Sequence, residues 1–235
     1  MPILILFMIF ISTISNAYAR EYPVKLGDST VTIVQEQHGK GKSFIHVHQN
    51  EVTALKAAQA IIRSEGGRLI TLVHSGQRNI VFTLHHTRYE FDPNRIYTDQ
   101  GIQKTLTEFG PYSKEAHRAV KRLANKIKYI LPPGKIIAVH NNESYSLQDY
   151  LPGHPLANDA RLLHKNEQHY FRNFYLVTHK KDYRRLTKLK FNSIWQAMNA
   201  TDDGSLSIFL ANRRYVNVEA GYDQLATQIN MLRHA

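Results

Sequence analysis

The sequence predicts an α/β fold: a mixed, mostly parallel central sheet flanked by helices. Three observations predict it. An apolar run at residues 44–48 (FIHVH) is followed by a helical stripe and then by a second apolar run at 68–74 (RLITLVH). That order is expected of two parallel strands joined by a right-handed crossover. A long amphipathic helical pattern from about residue 113 leads in the same way into another apolar run, KIIAVHNN. Finally, 235 residues at 43% hydrophobic content suit one such domain, and with no cysteine in the chain its core must hold without disulfides.

Taken in order, residues 22–37 read as lead-in structure with TIVQEQ as a short strand, and GKGK at 39–42 is a turn. No G-K-[ST] follows the spacer a phosphate loop requires, so that reading is discarded. FIHVH is the first core strand. A helix opens near Thr53, with Leu55, Ala58, Ile61 and Ile62 on one face, and Gly66 and Gly67 stop it. RLITLVH is a buried strand, and NIVFTLHH (79–86) is a third. The run 87–98 cannot be a strand throughout, because Pro93 breaks it. The helix opening at Pro111 or Ser113 carries its apolar stripe on Ala116, Val120, Leu123, Ile127 and Ile130. KIIAVHNN brings His140 to a strand end. Residues 142–170 read as a long polar loop, and 171–179 as a further strand. Residues 183–198 read as a helix with Leu186, Leu189 and Trp195 inward, and 205–235 as a strand pair and a terminal helix.

Residues 1–19 hold no charge and end in Ala-Tyr-Ala, as a secretory signal peptide cleaved after Ala19 does, although a basic start is missing. An uncleaved anchor is the other reading of the same run. The expected organisation is a signal peptide (1–19) and one domain (20–235), exported to the periplasm or medium. The net charge of +11 favours anionic partners: wall polymer, lipid head groups, an acidic small molecule or nucleic acid. Lys and Arg concentrate at 114–128 and 180–190, where solvated helix faces are the plain explanation.

Chemistry is suggested by histidine and glutamate at strand ends. H-x-x-E occurs three times, as His48/Glu51, His140/Glu143 and His164/Glu167. The first has a strand before it and a helix after it, which places both side chains at the sheet edge where open α/β folds put ligands. His140 also ends a strand, so His48, Glu51 and His140 can converge on one metal ion with His and carboxylate ligands. Arg88, Asp92, Asn94 and Arg95 lie within eight residues, and two guanidiniums beside an amide suit an anion. Glu219 follows the YVNV strand and is a third acid or imidazole at a strand end; a helix-start charge is its structural alternative.

Together these stretches resemble the zinc carboxypeptidase superfamily, closest to the succinylglutamate desuccinylase/aspartoacylase branch. The resemblance rests on His48-Gln49-Asn50-Glu51, on Arg88-Tyr89-Glu90-Phe91-Asp92-Pro93-Asn94-Arg95, on His140 and on Glu219, in that order. Departures are Gln49 where Gly is common, Pro93 where Leu is usual, and no room after Glu219 for a C-terminal β-domain. The resemblance implies one zinc ion on His48, Glu51 and His140. It implies Glu219 as general base and then acid, and Arg88 as oxyanion donor. Asn94 and Arg95 would be the carboxylate-binding pair, with Asp92 orienting a neighbour. An assisting phenol would be Tyr145, Tyr183 or Tyr215.

The expected activity is hydrolysis of an amide beside a free carboxylate, in a peptide or N-acyl amino acid. Export and the basic surface turn the expectation toward peptidoglycan peptides. A rival class is a non-catalytic basic binding module for an anionic polymer on the same fold. Nucleic acid is the poorer candidate there, because the basic runs lack aromatics interleaved along one groove, with Tyr183 and Phe191 the nearest to it.

Overall fold

The computed structural model describes residues 17–235. Most of the expected signal peptide, residues 1–16, lies outside the described residues. Its last part, Ala17–Ala19, opens strand β1 (Ala17–Leu26), which pairs antiparallel with β2 (Ser29–His38). Among the described residues no helix is long and apolar enough to cross a membrane.

Strand β3 (Lys42–His46) is followed by helix α1 (Val52–Glu65) and strand β4 (Gly67–Val73). β3 and β4 pair in parallel, as the crossover predicts. α1 stops where Gly66 takes φ +77°, and a Cβ there would sit 2.4 Å from the Lys40 carbonyl oxygen, so the turn requires glycine. The expected third strand, β5 (Ile80–Leu84), does not join the main sheet. It forms a separate hairpin with β6 (Thr87–Phe91), whose ends meet at the His85-His86 turn with both residues at positive φ. Helix α2 (Asp99–Phe109) was not predicted. Its buried face is sparse (Gly101, Ile102, Thr105 and Leu106), which left little periodic signal. Helix α3 (Lys114–Ile130) starts on the Ser113 side-chain cap, and its predicted stripe is buried.

Strand β7 (Ile136–Asn142) pairs in parallel with β3 and with β11 (Tyr215–Gly221). The expected long loop contains two short 3₁₀ turns and an edge strand, β8 (Ala160–His164). Strand β9 is Phe174–Val177. The expected helix at 183–198 divides into α4 (Lys180–Lys188) and strand β10 (Ser193–Gln196). Lys190 at φ +64° breaks the helical path, and the buried Asn192 amide bonds the Tyr170 and Asn173 carbonyls. Leu189 is consequently exposed rather than core, whereas Leu186 and Trp195 are buried. The expected strand near 206 is instead a single helical turn, α5 (Leu206–Phe209); the terminal helix is α6 (Leu225–His234).

The sheet order is β1-β2-β4-β3-β7-β11-β9-β10-β8. Its centre, β4-β3-β7-β11, is parallel throughout, while β1, β2, β9 and β8 add antiparallel pairings. The sheet is therefore mixed, and the expectation of a mostly parallel sheet holds only at the centre and for the β9-β10 pair. Both faces are covered, so the central strands read as apolar runs rather than as alternations. Phe44, Leu69 and Ile137 belong to the core that holds the buried faces of α1 and α6. Ile45, Ile70 and Ala138 belong to the core that holds α2 and α3. The parallel centre places the ends of β3, β7 and β11 at one edge, and the site is built there.

Candidate metal centre

β3 leads into a turn in which the Glu51 N–H donates to the His48 carbonyl at 3.0 Å, and α1 begins at the next residue. The turn directs two side chains toward β7, where His140 projects from the neighbouring strand. His48, Glu51 and His140 are each at most 2% exposed. His48 Nδ1 lies 2.8 Å from Glu51 Oε1, His140 Nδ1 lies 3.0 Å from Glu51 Oε2, and the two Nδ1 atoms are 3.2 Å apart. Donors about 2.0–2.1 Å from a tetrahedral metal stand about 3.3 Å from one another, so this spacing fits one ion. Among the described residues this is the one group of three or more metal-type donors so gathered, and it selects the first of the three H-x-x-E motifs.

The His48 tautomer also fits. Asp92 Oδ1 accepts from His48 Nε2–H at 2.7 Å, which leaves the Nδ1 lone pair of neutral His48 facing the cluster. Asp92 is itself fixed from outside: its backbone N–H donates to Thr105 Oγ1 on α2, and its carboxylate accepts the Asn94 N–H. Burial disfavours the charged imidazole of His48, but Glu51 and Asp92 outweigh it and raise the pKa to about 9. Burial would push the Glu51 carboxyl up; the two imidazoles instead hold it well below the usual carboxylate range. His46, whose ring N–H donates to the Glu51 carbonyl, is depressed by burial to about 4 and stays neutral.

Glu219 lies on β11 in register with His140. Its two oxygens each accept from an amide: Oε1 from Asn217 Nδ2 at 2.9 Å and Oε2 from Asn142 Nδ2 at 3.1 Å. The carboxylate is thus held in place by amides, with no cationic side chain at ion-pair distance among the described residues. It lines the same cavity as the His-Glu-His group, of about 450 Å³, together with Asn94, Arg95, Tyr145 and Tyr215. Arg95 pairs with Asp203 at 3.1 Å. The Tyr145 phenol shares a hydrogen bond with Tyr150, and burial keeps it protonated. Tyr183 packs beside Trp195 and is not part of the cavity wall.

Arg88 does not join this group. It is exposed on β6, pairs with Glu90 at 2.6 Å and is absent from the cavity wall. On a five-residue strand that ends before the site, the side chain at 88 lies on the outward face, opposite Tyr89. The guanidinium beside the His-Glu-His group is that of Arg78, which donates to Glu51 at 2.6 Å and approaches Asp92 at 3.5 Å. Its loop follows β4 and is pinned by Gln49, whose Oε1 accepts the N–H groups of His74 and Gly76. Arg78 was legible in principle, since it follows a strand at the same sheet edge as His48.

No protein-family model, curated protein or solved structure matches this chain.

Proposed function

We propose that this chain is a metal-dependent amide hydrolase of zinc carboxypeptidase type, cleaving an amide bond next to a free carboxylate. The observation that carries the reading is the gathering of His48 Nδ1, Glu51 and His140 Nδ1 beside the amide-held carboxylate of Glu219. Zinc held by the first three residues would supply an acidified water and a Lewis acid for the scissile carbonyl.

The protein's part is then proton transfer, charge stabilisation and orientation. Glu219 takes a proton from the attacking water and passes it to the leaving nitrogen, so that water and amide become a carboxylic acid and an amine. Its two amide partners fix its direction without placing a cation on it. Arg78 replaces Arg88 as the donor to the developing oxyanion, since its guanidinium reaches the cavity. Asn94 and Arg95 orient the substrate carboxylate, with Arg95 exchanging Asp203 for it. Tyr145 and Tyr215, both protonated and on the wall, are the phenols able to donate. Export through a cleaved signal peptide, and wall peptides as the physiological target, belong to the same proposal. They rest on the apolar N-terminus and the net charge of +11.

The test is hydrolysis of N-acyl amino acids and short peptides by the zinc-loaded chain, with Glu219→Gln beside it. Glu219→Gln should keep the metal and lose about 10²–10⁴ in kcat. A zinc-loaded chain that hydrolyses none of them, or a Glu219→Gln variant at full rate, would overturn the reading.

A further inference from the structure

The chain carries a net charge of +11, yet the cavity is acidic. Its cationic side chains are Arg78 and Arg95, and both are committed: Arg78 to Glu51 and Asp92, Arg95 to Asp203. Three further carboxylates on the wall, Glu143, Asp159 and Glu219, have no cationic side chain at ion-pair distance among the described residues. Asp159 is oriented from one side only, its Oδ1 accepting the Thr201 N–H at 2.8 Å and the Thr201 hydroxyl at 3.0 Å.

A second observation points the same way. Asn142 and Asn217 both turn their NH₂ groups toward the Glu219 carboxyl oxygens, which accept from them. Their carbonyl oxygens are left over. Both residues are 7% exposed, both line the cavity, and neither Oδ1 has a partner among the described residues. The free polar groups of the wall are therefore chiefly acceptors and anions. A buried acceptor without a donor costs about 1–3 kcal/mol, so such a wall favours a ligand rich in N–H.

We infer that the cavity selects a substrate whose residue bearing the free carboxylate also carries a side-chain amine, with the ammonium seated against Asp159. This rests on the hydrolase reading for what is done to the substrate, but the selectivity is a property of binding alone. The carboxylate would meet Arg95, and the ammonium would meet the unneutralised acids. An anionic side chain would meet the same acids as a like charge.

Calorimetric titration of the zinc-loaded chain with free lysine, norleucine and glutamate tests it. These ligands carry the carboxylate and cannot be hydrolysed, so the result does not depend on turnover. Lysine should bind at least tenfold tighter than norleucine, and glutamate weakest. Asp159→Asn should weaken lysine about tenfold and leave norleucine unchanged. Should norleucine or glutamate match lysine, should no ligand bind, or should Asp159→Asn leave the lysine preference intact, the inference fails, whether or not the chain hydrolyses amides. Selective lysine binding by a chain that hydrolyses nothing would leave the inference standing and remove the enzyme.

Discussion

Two buried aspartates lie in this fold, and they do different work. Asp92, at the edge where β3 and β7 end, accepts from His48 and has the Arg78 guanidinium nearby. Asp182, on α4, is gripped by Arg214, with bonds of 3.0 and 2.6 Å, and approached by Arg185 at 3.9 Å. Asp182 is the less exposed, at 1% against 8% for Asp92. Exposure alone would therefore not single out Asp92. What separates them is the partner. A guanidinium has no lone pair to offer, so the Asp182 cluster presents no metal-type donor atoms beyond the carboxylate. An imidazole held at one nitrogen presents the other, and the Asp92 cluster ends in donor atoms facing one another. A buried carboxylate points to chemistry when it leaves lone pairs gathered beyond it.

Substitutions can break or sharpen that contrast. The largest effect is expected at Arg78. Arg78→Ala should lower kcat by about 10²–10³ in the zinc-loaded chain, as the loss of an oxyanion donor does, whereas Arg88→Ala should stay within about twofold. Equal losses in the two variants would return the role to Arg88. Next comes Asp92→Asn, which should weaken zinc binding about 10–100-fold in equilibrium dialysis by releasing His48. Asp182→Asn should leave zinc affinity unchanged and cost about 2–3 kcal/mol of stability in denaturant melts. That is at or below the low end for a broken buried pair, because Arg214 can turn to water. A loss of zinc in Asp182→Asn would erase the distinction between the two clusters.

The smallest effect is one of pH. His48 has its folded pKa raised from 6.5 to about 9 in the metal-free chain. Its contribution to stability is then full below pH 6.5 and is lost as pH rises through about 9. Zinc must displace the same proton, so zinc affinity should rise with pH up to about 9 and level off above it. Thermal melts in chelator and zinc titrations across that range should slope in opposite directions.

Much of the candidate metal centre was legible because strand ends and helix starts are local features. FIHVH followed by a helix fixed where His48 and Glu51 point, and the apolar run before His140 placed it on a neighbouring central strand. Glu219 followed from the same logic on β11. The failures share a different cause. Arg88 was chosen by its place in a linear run, but whether a strand residue faces in or out depends on register, and β5 and β6 pair with each other rather than with the sheet. Helix α2 was missed because few of its residues are apolar, although it holds Asp92 through Thr105. The second wall of the cavity takes Asp159 from a segment that reads as loop and Asp203 from the short stretch between the expected helix and strand pair, which reads as no element. Long-range packing decides those segments. The resemblance to zinc carboxypeptidases directed attention to residues that do converge, but it could not say which arginine accompanies them.

The central claim is that two strand ends share one metal. The direct measurement is zinc content of the purified chain after dialysis against the metal, beside His48→Ala, His140→Ala and Asp182→Asn. One zinc per chain in the parent and in Asp182→Asn, and none in either histidine variant, is the predicted result. A folded parent that takes up no zinc, or histidine variants that keep it, would contradict the account.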